Sequence, residues 1–308
     1  MTKFAFLFPG QGSQSVGMMS GFGDSSIIRD TFTEASDVLG QDFWAMATEP
    51  NDAINETTNT QPIMLIAGIA VWRAWQASTD KNPIVLAGHS LGEYTALVAS
   101  GALSFADALP LVRYRAQVMQ NAVPAGVGAM AAILGLDDVV VREVCAEAAQ
   151  TEVLEAVNFN SPGQVVIAGS KAAVERGMEL AKAKGAKRAL ALPVSVPSHC
   201  ALMKPAAIKL TEFLKDVTIV APKIAVVQNA DVVSYQDADR IKEALVRQLY
   251  SPVRWVETIQ AIHAQGIAQA AECGPGKVLA GLTKRIVAEL SCSALINNES
   301  LTEFQNQV

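Results

Sequence analysis

Gly88-His89-Ser90-Leu91-Gly92 is a G-x-S-x-G run. An apolar segment, Pro83 to Ala87, precedes it and a helical one, Glu93 to Ala99, follows it. A nucleophilic serine needs that context. The strand ends, the chain turns sharply, and the serine is lifted onto a strained turn at the head of a helix. The flanking glycines remove side chains that would clash in so tight a turn. The helix N-terminus behind the serine offers unpaired N–H groups to an oxyanion. Many matches to the bare pattern are plain turns, so the flanking strand and helix carry the nucleophile reading.

A serine hydroxyl attacks well only when a base takes its proton. The chain has three histidines. His89 adjoins Ser90, and neighbours on a tight turn point apart. His263 falls in a helical segment beside Ile259 and Ile262 and reads as structural or solvated. His199 lies in the irregular stretch Val196-Pro197-Ser198-His199. Pro193 and Pro197 stiffen that stretch, which suits a held imidazole, although a loop histidine without a role fits the same residues. An acid to orient the base is not evident. Asp107, Asp137 and Asp138 lie between serine and histidine, but none sits at a strand end of the main sheet. That leaves a hidden carboxylate or another group, such as a backbone carbonyl. Gly10-Gln11-Gly12 is next followed by glycine at Gly17, so the spacing of a dinucleotide loop fails. Arg113 and Arg115 both flank the apolar stripe Leu109, Val112, Ala116 and Met119, and periodicity does not choose between them. A buried guanidinium there would hold a free carboxylate through two parallel hydrogen bonds.

The elements that must position these residues alternate between short strands and longer helices. Phe4 to Phe8 reads as a buried strand, Gln61 to Ala77 as a buried helix and Pro83 to Ala87 as the next strand. Ser104 to Asn121 reads as a helix opened by Ser104 and Asp107. Pro110 inside it predicts a kink or a break. Pro124 to Gly128 is linker-like. After it come strand 129–134, helix 137–150, strand 153–158, strand 164–168, helix 170–183 and strand 188–192. That order is the β-α-β-β-α-β unit of ferredoxin-like domains. Strands at 223–228 and 267–272 and helices at 202–216, 238–250 and 255–265 complete the pattern. The expected fold is α/β. A mostly parallel, α/β-hydrolase-like sheet with helices on both faces spans residues 1–123 and 196–308, and the small ferredoxin-like domain is inserted at 124–195.

Composition bounds the function. Half of the 308 residues are hydrophobic and 18% are charged, which is ample for a large core. The net charge of -6 offers no general basic surface for nucleic acid. Cys145, Cys200, Cys273 and Cys292 show no zinc or disulfide spacing. Met1-Thr2-Lys3 followed by Phe4 to Phe8 and Pro9-Gly10 does not read as a signal peptide. The longest apolar run, Ile63 to Trp72, is far short of the ~20 residues that span a bilayer. A cytoplasmic monomer that binds neither membrane nor nucleic acid is expected.

The whole chain resembles the malonyl-CoA:acyl carrier protein transacylases of bacterial fatty-acid synthesis. The matching stretches are Phe8 to Gln14, Gly88 to Tyr94, Asn158 to Gln164, Pro197 to His199, Gln248 to Val253 and Gly274 to Leu279. The resemblance implies an acyltransferase without a cofactor, whose partners are malonyl-CoA and acyl carrier protein. It implies that Ser90 takes the malonyl group as an ester and that His199 is the general base, oriented by a main-chain carbonyl at Gln248. It further implies an oxyanion hole from the backbone N–H groups of Gln11 and Leu91. Arg115 becomes the carboxylate clamp, with Gln248 and Asn160 also at the substrate site. Pro110 departs from the family pattern. Val196-Pro197-Ser198-His199 also lacks the bulky aromatic that some strict malonyl-selective relatives carry before the histidine, which leaves acceptance of larger acyl groups open. A serine esterase of related architecture is the alternative, and a non-catalytic binding module using the same pocket is a third reading. Lys182, Lys184, Lys187 and Arg188 form one basic cluster for an acidic carrier protein, and Lys277, Lys284 and Arg285 form another.

Overall fold

A computed structural model describes residues 2–194 and 196–308. Its strands are β1 (Phe4–Phe8), β2 (Val85–Gly88), β3 (Gly128–Leu134), β4 (Leu154–Ser161), β5 (Gln164–Ser170), β6 (Arg188–Ala191), β7 (Ala225–Val227), β8 (Gln269–Cys273) and β9 (Ser291–Leu295). Five of them form a sheet in the order β7-β2-β1-β8-β9, and every pairing in it is parallel.

β1 sits in the middle of that sheet and is buried along its whole length. Its run of apolar residues follows from helices covering both faces. Phe4, Phe6 and Phe8 point into one core, shared with Ile66, Trp75, Leu97 and Phe304. Ala5 and Leu7 point into a second core, with Trp255, Ile259, Ile262 and Leu282. The helix Thr57–Ser78 lies in the first core and is buried nearly all round from Thr60 to Trp72. The helix Trp255–His263 covers the opposite face.

The remaining four strands form a separate antiparallel sheet in the order β4-β5-β3-β6. Helices Asp138–Ala149 and Lys171–Ala183 pack on it around Ile133, Val144, Phe159, Ile167 and Val174. The β-α-β-β-α-β order expected from the sequence is therefore present. β4 is stitched to the main body by Phe159 N–H to Val253 O at 3.1 Å and Val253 N–H to Val157 O at 2.8 Å. Ser195, the last residue of the expected inserted domain, lies outside the described residues.

The structure departs from the sequence reading in two places: no break occurs at Pro110, and one strand and four helices went unread. The helix Phe105–Gln120 runs unbroken through Pro110. The proline removes one N–H from the ladder, while the buried Leu109, Leu111 and Val112 beside it hold the helix in the core. Its start is as read, with Asp107 N–H donating to Ser104 Oγ at 3.0 Å. Strand β9 and helices Ser26–Leu39, Phe43–Thr48, Val278–Ile286 and Asn298–Gln307 had no counterpart in the sequence reading. β9 is Ser-Cys-Ser-Ala-Leu at the sheet edge with only Leu295 buried, so it carries no apolar run to find. Among the described residues no helix is long and apolar enough to cross a membrane.

β1 and the helix Gly92–Ala99 approach so closely that a Cβ on Gly92 would run into the carbonyl oxygen of Phe8. Alanine ordinarily favours a helix over glycine by about 1 kcal/mol. Here the sign should reverse: Gly92→Ala is expected to lose about 1–3 kcal/mol to overpacking. The urea midpoint should fall with an unchanged m-value, and an unmoved midpoint would contradict the contact.

Candidate active site

Ser90 follows the last residue of β2 by two positions and has φ 52°, in the left-handed region that non-glycine residues seldom enter. The glycines around it answer to sterics. A Cβ on Gly88 would collide with the main chain of Gly92, and one on Gly10 with the carbonyl of His89. The G-x-S-x-G spacing thus lets the turn fold on itself. Gly10 lets the loop after β1 lie against it, and Gly12 adopts φ 106° just beyond.

Ser90 Oγ is 2.8 Å from His199 Nε2. His199 Nδ1 donates to the carbonyl of Gln248 at 2.7 Å. With the proton held on Nδ1, the Nε2 lone pair faces the serine. Burial first, and the nearby Arg115 cation second, push the His199 pKa down to about 3. The imidazole is therefore neutral near pH 7, the form a base requires. His199 also has a left-handed φ of 67°, and its N–H is fixed to Leu249 O at 2.9 Å.

Arg115 is 1% exposed although it carries a charge. Its guanidinium donates from Nη1 to Gln61 Oε1 at 2.7 Å. Nη2 reaches Gln248 Oε1 at 2.9 Å and Ser90 Oγ at 3.2 Å. The Tyr94 ring lies 5.3 Å away. Arg113 points elsewhere, with Nη1 donating to Leu39 O at 3.0 Å. The helix phase that the sequence left open is thus decided in favour of residue 115, because only that position looks from the helix toward β2.

A cavity of about 140 Å³ is lined by Ser90, His199, Arg115, Gln11, Leu91 and Asn158, among others. Among the described residues, neither the Gln11 nor the Leu91 amide donates to a protein acceptor. Two expected substrate contacts are placed differently. Asn160 Oδ1 meets His89 Nε2 at 2.8 Å, and Asn158 lines the cavity instead. The β4 strand turns Asn158 inward, while Asn160 is held by a histidine that packs edge-on to Trp255. The Gln248 side chain is fully buried behind the serine. Its Nε2 donates to Ser90 O at 2.9 Å and to Glu93 Oε2 at 3.0 Å.

Sequence reading missed Gln61, Glu93 and Asn229. Glu93 is the third residue after Ser90, one helical turn along, and that spacing could have pointed to it. Its carboxyl is raised to about 7, chiefly by burial, against hydrogen bonds from Asn229 and Gln248. Asn229 and Gln61 come from distant segments and carry no local signal. Among the described residues no cluster of His, Cys, Asp or Glu could hold a metal ion.

A serine on a strand-to-helix turn with an imidazole on its Oγ is the arrangement of enzymes that carry acyl groups on a side chain. Residues 5–296 match the family described as the acyl transferase domain, and the chain belongs to that family. It is 56% identical over 309 residues to the malonyl CoA-acyl carrier protein transacylase of Salmonella typhimurium, covering 100% of both chains. The solved acyl-carrier-protein S-malonyltransferase of Burkholderia pseudomallei 1710b superposes with a TM-score of 0.96 at 61% identity, covering 98% of this chain and 99% of that one. A solved malonyl-transacylase in complex with its type II PKS acyl-carrier protein gives 0.98 at 52% identity, covering 100% of both chains.

The depressed basicity of His199 can be read directly by NMR. Its ring ¹⁵N shifts should remain those of the neutral Nδ1–H tautomer from about pH 8 down to about pH 5. A transition near the ordinary imidazole value of about 6.5 would contradict the burial and the Arg115 effect.

Proposed function

We propose that the chain transfers malonyl from malonyl-CoA to the phosphopantetheine thiol of acyl carrier protein through an ester on Ser90. His199 Nε2 takes the Ser90 proton as Oγ attacks the thioester carbonyl. The oxyanion forms against the Gln11 and Leu91 amides. The C–S bond breaks, and the departing CoA sulfur takes the proton from His199. The carrier thiol then gives its proton to His199 and attacks the ester carbonyl. The C–O bond breaks, and Ser90 regains its proton.

The buried Arg115 guanidinium, with Nη2 3.2 Å from Ser90 Oγ, carries the substrate class. In a malonyl ester the free carboxylate stands one methylene beyond the carbonyl carbon, beside that cation. An acetyl group has nothing to offer it. A carboxylate on Arg115 would also offset the cation that depresses His199, making the base stronger when the right substrate is bound. Each amide of an oxyanion hole contributes about 3–4 kcal/mol. The small unit fits a ferredoxin-like domain, supported by its β4-β5-β3-β6 order with helices after its first and third strands. The buried parallel sheet with a serine beyond a strand end supports an α/β-hydrolase-like main unit.

For the carrier protein, the folded chain divides the two basic clusters differently from the sequence. Lys182 pairs with Glu179 and Lys184 with Glu147. Arg188 lies opposite Leu134, whose other neighbour is Gln164, and Arg285 Nη1 donates to Gln164 Oε1 at 3.1 Å. Lys187 packs on Gly135 beside them. Lys187, Arg188, Lys284 and Arg285 are exposed, and among the described residues no carboxylate pairs with them. This edge is the docking face we assign to the acidic carrier. Four residues of β3, roughly 13 Å, separate Leu134 from Met130 in the cavity wall, a span shorter than an extended phosphopantetheine arm.

Three outcomes are expected. Labelled malonyl-CoA should leave its label on Ser90 in a peptide digest, and Ser90→Ala should leave none. Arg115→Ala should lower malonyl kcat/KM roughly 10- to 100-fold while acetyl transfer holds or rises. An esterase would instead release malonate to water and ignore the substitution. Reversing Lys187, Arg188 and Arg285 to Glu should raise KM for carrier protein without moving KM for malonyl-CoA, most strongly at low salt.

A further inference from the structure

Asn229 lies two residues beyond β7 and is fully buried. Its side chain makes two short hydrogen bonds to the serine turn. Oδ1 accepts from Ser90 N–H at 2.7 Å, and Nδ2 donates to the Gly88 carbonyl at 2.7 Å. One amide therefore grips the backbone on both sides of residue 89. The backbone N–H of Asn229 donates in turn to Glu93 Oε2 at 2.7 Å. The end of β2, the serine and the first turn of the following helix thus share a single anchor.

The loop that presents Asn229 is itself constrained. Gln228 N–H donates to Val233 O at 3.0 Å and Val232 N–H to Gln228 O at 2.9 Å. Val232 takes φ 58°, costly for a β-branched residue. Asp231 is fixed by Arg247 and the Tyr235 hydroxyl. Among the described residues the non-glycine residues with left-handed φ are Ser90, Gln150, His199 and Val232. Three of these four belong to the nucleophile, the base and the Asn229 loop. Strain of this sort persists only where the surroundings over-determine it.

We infer that Asn229 is a positioning residue for the nucleophile. Its side chain holds Ser90 in the left-handed conformation that keeps Oγ on His199. It also occupies the Ser90 N–H, which leaves the Gln11 and Leu91 amides as the free donors at the cavity. This inference rests on the transfer reading only in taking Ser90 as the attacking group. Arg115 is held by Gln61 and Gln248, with no contact from Asn229, so the clamp should be indifferent to residue 229.

Asn229→Asp tests the two hydrogen bonds with little change of shape. The aspartate still accepts from Ser90 N–H but sets an acceptor and a charge against the Gly88 carbonyl. Once protonated, its O–H can donate to that carbonyl again. Single-turnover acylation by labelled malonyl-CoA gives an amplitude, which counts competent chains, and a rate constant, which reports alignment. A fluorophosphonate probe gives the same two quantities for an activated serine without any malonyl group. Asn229→Ala is expected to keep its amplitude and lose rate roughly 100-fold with both reagents. Asn229→Asp should be slow at pH 8 and recover toward the parent as pH falls, with an unchanged malonyl-to-acetyl ratio. A reduced amplitude at the parent rate constant would mean a merely structural role and overturn the inference. So would an Asn229→Asp protein that acylates at the parent rate at every pH. If Asn229→Ala does not fold, the pH series on Asn229→Asp decides alone. A parent protein that ignores malonyl-CoA but reacts with the fluorophosphonate, slowed by the Asn229 variants, would overturn the malonyl reading and leave this one standing.

Discussion

The left-handed backbone of Ser90 is the constraint around which the rest of the site is arranged. A serine in that conformation projects its side chain away from the strand it follows and over the head of the next helix. It can do so only because Gly88, Gly92 and Gly10 carry no Cβ where the turn, the helix and the loop after β1 touch. The contacts are carbonyls and main-chain atoms, which cannot step aside as a flexible side chain could. The sheet supplies the frame. β2 lies between β1 and β7, so the loops beyond all three strands converge on the serine. Gln11 comes from the first loop, Ser90 and Leu91 from the second, and Asn229 from the third.

Around that turn the protein has buried an unusual amount of polarity. Arg115, Glu93, Gln248, Asn229 and His199 are all 2% exposed or less. Burying charges is costly unless their hydrogen bonds are made. Here the Gln248 amide is the coupler: it receives Arg115 on its oxygen and gives its N–H groups to Glu93 and the Ser90 carbonyl. Its backbone carbonyl meanwhile orients His199. One residue thus fixes the cation, the imidazole and the Ser90 peptide. A buried carboxyl, Glu93, is present in the site, but it bonds the Gln248 side chain and does not touch the histidine, which bonds the Gln248 backbone carbonyl instead. Such an arrangement keeps the imidazole neutral, since a carboxylate in direct contact would raise its pKa.

The small unit contributes the far wall and, in the reading offered here, the entrance. Met130 of β3 and Asn158 of β4 face the cavity. The opposite ends of the same small sheet border Lys187, Arg188 and Arg285. The chain carries a net charge of -6, so a concentrated basic edge stands out against its own surface.

What could be read from the residues alone was whatever depends on neighbours in sequence. The fully apolar β1, the alternation of strands and helices, the Ser104 cap and the glycine-framed serine are local patterns. The resemblance carried by several ordered motifs added the pairing of Ser90 with His199. Periodicity could not separate Arg113 from Arg115, because both flank the apolar stripe from opposite sides, about 200° apart around the helix, and only packing against the rest of the fold decides which flank faces the site. Nor did it expose β9, whose edge position demands few buried side chains. Asn158 and Asn160 would share a face in a regular strand, and the register shifts of β4 at Ala156/Asn158 and Phe159/Ser161, which carry no signal in the sequence, separate their surroundings. Asn229 and Gln61 were invisible for a stronger reason. Asn229 reaches Ser90 across 139 positions and Gln61 reaches Arg115 across 54, so their hydrogen bonds exist only once the sheet has closed. The covalent chain determined which groups could do chemistry. Long-range packing decided their angles, their partners and their protonation, because those depend on through-space distance and on exclusion of water.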